Sequence, residues 1–195
     1  MPGKIITISR QFGSGGRTIG RLVAERLRIP CYDKELIEKM ADESGFASEY
    51  IEEKNESAHS SSRLLNALSY GSMTAIINEE RIWESQCKVL FDIAGQGSCV
   101  IIGRCGDRVL KDRYDLLTVF VHAPEEKRAE RIVNIYGENE ISIRKRINDK
   151  DKRRRAYYQL YTDCKWGDAL NYDLCFNSAA IGIEKCADVI TEMYL

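Results

Sequence analysis

The chain has 195 residues, enough for one domain with a continuous buried core. Its 29 basic residues nearly cancel its 30 acidic ones, so whole-molecule charge gives no reason to expect a nucleic-acid or membrane partner. Seven cysteines lie scattered at 31, 87, 99, 105, 164, 175 and 186 without a C-x-x-C pair, which suggests neither a zinc site nor a disulfide framework and fits a reducing cytoplasm. The N-terminus runs straight into a strand-like segment without a signal-peptide core. No apolar run is long enough for a bilayer, so a soluble cytoplasmic protein is expected.

In chain order, residues 4–9, "KIITIS", are rich in isoleucine and threonine and read as a buried strand. A glycine-rich stretch follows. Ile19, Leu22, Val23 and Leu27 then recur at helical spacing, with Pro30 ending the helix. "CYDKELIEKMADESG" begins another helix, with Asp33 placed as N-cap and Gly45 as its stop. Residues 55–72 are serine-rich and predict a mobile connection with a short helix around Leu64–Leu68. Ile76, Ile77, Trp83, Cys87, Leu90, Phe91 and Ala94 form an apolar stripe, so residues 73–94 predict a core helix. "CVIIG" (99–103) and "LLTVFVHA" (116–123) are nearly continuous apolar runs of the kind that parallel strands carry when both faces are covered. A helix starts after Pro124, and a charged one spans 141–165. "YDLCFNS" (172–178) is a last strand and "GIEKCADVITEMYL" a last helix. Strands alternating with helices predict an α/β fold: one parallel central sheet covered by helices, in one domain over 1–195.

"GSGGRT" (13–18) carries the chemistry. A strand ending in a glycine-rich turn and continuing as a helix gathers backbone N–H groups around one point, with the helix dipole behind them, and binds phosphate. The usual pattern is G-x-x-x-x-G-K-[ST], with lysine on the β- and γ-phosphates and the hydroxyl on Mg²⁺. Here the lysine is missing and two registers are open. Either Gly16 stands at the lysine position, or Arg17 does, with Gln11 replacing the first glycine. In both, Gly13, Ser14, Gly15, Gly16, Arg17 and Thr18 are the donor-binding residues and the Thr18 hydroxyl lies nearest the metal.

With this loop, further stretches resemble the cytidylate kinase-like family of P-loop nucleoside monophosphate kinases. "CYDKELIEKMA" (31–41) matches Asp33 to an acidic residue of the monophosphate pocket. "VIIGRCGD" (100–107) matches Gly103 and Arg104 to a D-G-R-D segment. "VFVHAPEEKRAERI" (119–132) is similar to the strand and helix leading to a lid, which places Arg128 and Arg131 near it. "DKDKRRRAYYQLYT" (149–162) is similar to the lid itself. The resemblance implies a P-loop NTPase fold of the nucleoside monophosphate kinase type. Its acceptor region would span about 33–95 and its mobile lid about 128–165. It implies transfer of the γ-phosphoryl group of ATP, with Mg²⁺, to CMP or dCMP, giving ADP and CDP. Arg17, Arg104, Arg153 and Arg154 would then be catalytic, and Asp33, Arg104, Arg128 and Arg131 would bind substrate. Two acids of D-G-R-D are replaced by Ile102 and Cys105, with Asp107 as the nearby substitute.

In the run Lys152–Arg155, consecutive helical residues point in different directions, so one or two of its arginines are expected at phosphate and the rest on partners or solvent. Tyr157, Tyr158 and Tyr161 suit either base stacking or packing beneath the lid. His59 and His122 show no acid–base arrangement. The competing function is a nucleotide- or anion-binding regulatory protein whose degenerate loop no longer transfers phosphate. Nucleic-acid binding through the arginine run is a third and weaker reading.

Overall fold

The computed structural model describes residues 3–51, 70–136 and 140–195. His59 and the short helix expected around Leu64–Leu68 lie outside the described residues. Among the described residues five strands form one parallel sheet: β1 (Ile5–Arg10), β2 (Cys31–Tyr32), β3 (Cys99–Ile102), β4 (Leu116–His122) and β5 (Leu174–Asn177), in the order β2-β3-β1-β4-β5. The central β1 pairs Ile6 with Val100 of β3 and with Leu117 of β4. Helices α1 (Gly16–Leu27), α2 (Glu35–Ser44), α3 (Tyr70–Gly95), α4 (Gly106–Val109), α5 (Glu125–Tyr136), α6 (Glu140–Thr162), α7 (Ser178–Ile181) and α8 (Ile183–Tyr194) accompany it.

The pleat explains the layering, because alternate residues of a strand face opposite sides. Ile6, Ile8, Val100 and Ile102 join Ile19 and Val23 of α1 and Ile190 of α8 in one core. Ile5 and Ile101 join Leu36 and Met40 of α2 and Leu90 of α3 in the other. A covered parallel sheet needs apolar residues on both faces, which is why β3 is a continuous apolar run and β1 is broken only by Thr7 and Ser9 before its terminal Arg10. Cutting fully buried Ile6 or Ile8 to alanine removes about 2–5 kcal/mol of stability.

The expected strands at 4–9, 99–103, 116–123 and 172–178 are present within a residue or two. Gly45 stops α2 with φ +72° and its N–H bonded to Ala41 O. One element was not expected and one expectation is corrected around residue 33. Cys31–Tyr32, ahead of the helix, is a short strand at the sheet edge. The N-cap position of α2 is Lys34, while the Asp33 carboxylate turns away to Arg17. A guanidinium outcompetes the helix start for this carboxylate, because a charge-assisted pair in a buried place is the stronger contact.

All strands run the same way, so Arg10, Ile102, His122 and Asn177 end on one edge of the sheet. The chain lays β2 and β3 on one side of β1 and β4 and β5 on the other. The carboxyl end of β1 therefore sits at the switch point, where open α/β sheets hold ligands.

Candidate functional site

Residues 13–18 form a tight loop from β1 into α1. Gly13 (φ +81°) and Gly15 (φ +82°) both take the left-handed conformation that a Cβ resists. Space is equally restrictive. A Cβ on Gly13 would stand 2.8 Å from Ile132 Cδ1, and one on Gly15 would run into Ile183 Cδ1. Ser14 is buried and its hydroxyl donates to Gln11 O (2.9 Å) and Val121 O (3.0 Å), pinning the loop to β4. The first bond of the α1 ladder runs from Ile19 N–H to Gly15 O at 3.0 Å, so the N–H groups of Gly16, Arg17 and Thr18 lie ahead of it and point out of the helix start. N–H groups set out in this way at a helix start are the arrangement that can receive an anion.

Two adjoining cavities open here. One is lined by the loop residues Gly13, Gly15, Gly16, Arg17 and Thr18, with Arg131 of α5 beside them. The other is lined by Asp33, Arg104, Lys150, Arg153 and Tyr157, among others. Arg10, Arg17 and Arg154 line both.

Asp33 is 7% exposed and draws several cations to itself. Arg17 Nη2 donates to its Oδ1 at 3.2 Å, Arg17 Nε meets Oδ2 more closely still, and Arg10 Nη2 lies 3.8 Å from Oδ1. Arg17 is thereby drawn toward the β2 side of the loop. Arg104 follows β3 in a turn where Gly103 (φ +75°), Arg104 (φ +59°) and Cys105 (φ +53°) are all left-handed. Two successive non-glycine residues in that region store backbone strain, of order 1–3 kcal/mol each, and such strain gathers at functional sites. Gln86 holds the turn: buried on α3, it donates from Nε2 to Arg104 O (2.9 Å) and accepts at Oε1 from Tyr157 O–H (3.1 Å).

Of the charged run on α6, Lys152, Arg153 and Arg155 are exposed and Arg154 is half-buried, and Arg153 and Arg154 line the second cavity. Arg154 Nη1 also donates to Arg10 O at 3.0 Å, and its guanidinium lies 5.7 Å from the Phe12 ring centre. Arg131 donates from Nη2 to Thr18 Oγ1 at 3.0 Å. Arg128 lines neither cavity. Its Nη1 donates to Asp151 Oδ2 (2.6 Å) and Phe12 O (3.1 Å), while Phe12 N–H donates to Asp151 Oδ1 (2.7 Å). Both partners of this ion pair are buried, at 7% and 9% side-chain exposure. The pair clamps the backbone of the loop between α5 and α6.

The aromatic residues pack on one another, and Tyr157 and Tyr158 also line the second cavity. Trp83 stacks on Tyr161 at 4.3 Å and meets Tyr157 edge-on at 6.3 Å. Tyr158 donates to Asp107 Oδ2 at 2.5 Å, deep beneath the Arg104 turn. Asp107 is 2% exposed, and burial pushes its carboxyl up to about 6 against the lowering effect of that hydrogen bond. It is a buried acid of the turn rather than one facing the loop. Burial likewise pushes the Cys105 thiol well up, which keeps it un-ionised and inert.

Among the described residues no three His, Cys, Asp or Glu side chains gather as a metal centre. Beside the loop the oxygen donors fit Mg²⁺ only in part. Thr18 offers a hydroxyl, while the carboxylates of Asp33 and Asp151 are engaged by arginines. Mg²⁺ usually takes one or two carboxylates together with substrate phosphates. Among the described residues no helix is long and apolar enough to cross a membrane.

Sequence reading missed Arg10 and Gln86. Gln86 could have been found, since Ile82, Gln86 and Leu90 share one helical face and a glutamine on an apolar stripe asks for a buried partner.

Comparison with known proteins agrees with this architecture. The sequence matches the cytidylate kinase-like family over residues 5–180, and the chain belongs to that family. A cytidylate kinase of Methanococcus aeolicus is 26% identical over 194 residues, covering 95% of this chain and 94% of that one. The crystal structure of an uncharacterized protein from Eubacterium ventriosum superposes with a TM-score of 0.73 at 24% identity, covering 97% of both chains. A gluconokinase from Sinorhizobium meliloti superposes with a TM-score of 0.56 at 16% identity, covering 99% of this chain and 94% of that one. The fold is that of the P-loop kinases.

Proposed function

We propose that this cytidylate kinase-like protein is an ATP-dependent nucleoside monophosphate kinase, with CMP or dCMP as acceptor and ADP and CDP or dCDP as products. The observation that carries this reading is the pair of adjoining cavities that share Arg10, Arg17 and Arg154. Phosphoryl transfer needs two phosphate groups brought in line, water excluded, and positive charge over the group in flight. A glycine cradle on one side, an arginine-lined chamber on the other and shared guanidinium groups between them suit that demand.

In the proposed reaction a phosphate oxygen of the monophosphate attacks the γ-phosphorus of ATP. The bond from that phosphorus to the β–γ bridging oxygen breaks, and ADP leaves with the electron pair. A phosphate monoester is already ionised at neutral pH, so no side chain has to remove a proton. Within 13–18, where the Ser14 N–H already bonds Gln11 O, the outward N–H groups of Gly16, Arg17 and Thr18 would hold the donor phosphates, with Arg131 beside them. Arg104 would hold the acceptor phosphate. Asp33, already paired with Arg17, would orient that arginine between the two. Residues 128–165 would act as the lid that brings Arg153 and Arg154 onto the transferring group. Mg²⁺ would arrive with ATP, held by its phosphate oxygens and by the Thr18 hydroxyl, and would neutralise phosphate charge. The identity of the acceptor rests on family membership and the Methanococcus aeolicus relative alone.

The test is coupled detection of ADP with CMP, dCMP, UMP and AMP as acceptors. Turnover highest on a cytidine monophosphate supports the reading, and turnover on another monophosphate reassigns the acceptor. One observation favours a second reading, a nucleotide-sensing protein without transfer: Ile102 and Cys105, which replace the D-G-R-D acids, are both buried. Nucleotide binding without ADP formation on any acceptor would establish that second reading.

A further inference from the structure

The loop lysine is absent, but its volume is filled. When Gly16 is set at the lysine of G-x-x-x-x-G-K-[ST], the second glycine is Gly15 and the position of the first glycine falls on Arg10. Glycine and cation have exchanged places within the motif. The fold gives the exchange a spatial meaning. A Cβ on Gly16 would stand 2.6 Å from Arg10 Cβ and 3.1 Å from Arg10 Cγ, so the Arg10 stem runs through the space where a lysine at 16 would begin. A Cβ on Gly103 would run into Arg10 Nη1 from the other side. Two glycines from different strand ends thus make the channel in which this one side chain lies.

Its surroundings match a phosphate site. The Arg10 side chain is 17% exposed and lines both cavities. Burial pushes it well below its ordinary value, the charges of Arg154, Arg17 and Arg104 act in the same direction, and Asp33 opposes them. That carboxylate is 3.8 Å away and already engaged by Arg17. Several guanidinium groups meeting around one carboxylate repel one another until an anion joins them, and a planar fork suits phosphate oxygens.

We propose that Arg10 is the phosphate-binding cation of this loop, moved from the helix start to the strand end and directed at the β- and γ-phosphates of the donor nucleotide. The inference rests on the donor-site assignment made above, and it fixes the register with Gly16, not Arg17, at the lysine position. Arg17, tied to Asp33, is then a positioning residue between the chambers.

The experiment is calorimetric titration of the full chain with ADP, tripolyphosphate and adenosine, before any measurement of turnover. Arg10→Met should weaken ADP and tripolyphosphate by about tenfold or more, the loss of one charge-assisted contact, and leave adenosine unchanged. Gly16→Lys alone should lose ADP binding, since two side chains then claim one volume. The exchange variant Arg10→Gly with Gly16→Lys should recover ADP binding to within a few-fold of wild type. Arg10→Met binding ADP like wild type, or the exchange variant binding no better than Arg10→Gly alone, overturns the proposal. If Arg10→Met does not fold, the comparison of the exchange variant with Arg10→Gly, or with Arg10→Lys should that also fail, decides alone. Wild type that binds neither ADP nor tripolyphosphate removes both this inference and the kinase reading. Wild type that binds ADP but makes none from ATP removes the kinase reading only, and the binding ratios still judge Arg10.

Discussion

Asp107→Asn isolates the cost of one buried carboxylate. Asp107 is 2% exposed, receives one hydrogen bond from Tyr158, and its Oδ1 has no hydrogen-bond partner among the described residues. Burial raises its carboxyl from 3.8 to about 6 in the fold. The folded state therefore holds this proton more tightly than the unfolded chain does. Its favourable contribution is complete below about pH 4, and it is lost as pH rises through about 6, beyond which the fold carries an ionised group. Above pH 7 the penalty is on the order of 3 kcal/mol, the shift converted at 1.36 kcal/mol per unit. Asparagine keeps an acceptor for Tyr158 and does not titrate. Its amide lacks a partner on the Oδ1 side, which costs about 1–3 kcal/mol at every pH. The prediction accordingly concerns the pH dependence and not the absolute sign. Urea unfolding of both proteins from pH 4 to 8 should show the variant gaining on wild type by up to that penalty, chiefly between pH 4 and 6.5. All other titrating groups are common to both and cancel in the difference. A constant difference across this range would show that Asp107 is ionised in the fold throughout, and would refute the reasoning.

Asp151→Ala leaves Arg128 as a buried charge and frees Phe12 N–H, so urea unfolding should show a loss of about 3–5 kcal/mol. Stability unchanged in that variant would mean that Arg128 finds water. Arg104→Ala should weaken CMP much more than ATP, by roughly 1.5–3 kcal/mol for one charge-assisted contact, and equal weakening of both would make Arg104 structural. Gly15→Ala forces a Cβ into a φ of +82° and into Ile183, and should lose about 1–2 kcal/mol from the conformation alone together with most ADP affinity. Because arginines engage the carboxylates beside the loop, ADP affinity should change by no more than a few-fold when EDTA replaces Mg²⁺; abolition by EDTA would locate a protein-held metal instead.

The strands were legible because burial on both faces calls for apolar residues in near-continuous runs: "IITI", "CVII" and "LLTVFV" state their place outright, with Thr7 and Thr118 the polar residues among them. The glycine loop was legible because left-handed φ at Gly13 and Gly15 has few other solutions. What escaped was set by contacts between distant segments. Among the described residues Cys31–Tyr32 pairs with β3 alone, and two residues carry no periodicity to read. Asp33 sits where local preference asks for a helix cap, and only the fold brings Arg17 to it. Arg128 read as a charged helix residue near substrate, but its acid partner lies a helix away at Asp151. Arg10 ends an apolar strand and resembles any solvent-facing terminus. Its inward course follows from two missing Cβ atoms, one in the loop and one after β3.

The charges at the carboxyl edge of the sheet form a pattern that no single residue shows. Arg10 comes from β1, Arg17 from α1, Arg104 from the turn after β3, Arg131 from α5, and Arg153 and Arg154 from α6. A lysine-and-carboxylate loop concentrates its compensation in one ammonium group and one protein-held metal. In the proposed site compensation would be spread over forked cations on separate elements, with Asp33 and Asp151 holding arginines in place. Guanidinium groups act through direction as well as charge, so their effect depends on where the elements carrying them stand. Arg154 bonds the carbonyl of Arg10, Arg131 bonds the hydroxyl of Thr18, and the Arg128–Asp151 pair bonds the backbone of Phe12 on both sides. Each of these contacts ties α5 or α6 to the loop or to the strand end that feeds it. Movement of those helices would shift the cations and the glycine loop together, and this coupling makes the geometry of the proposed phosphate site a property of the whole α5–α6 unit.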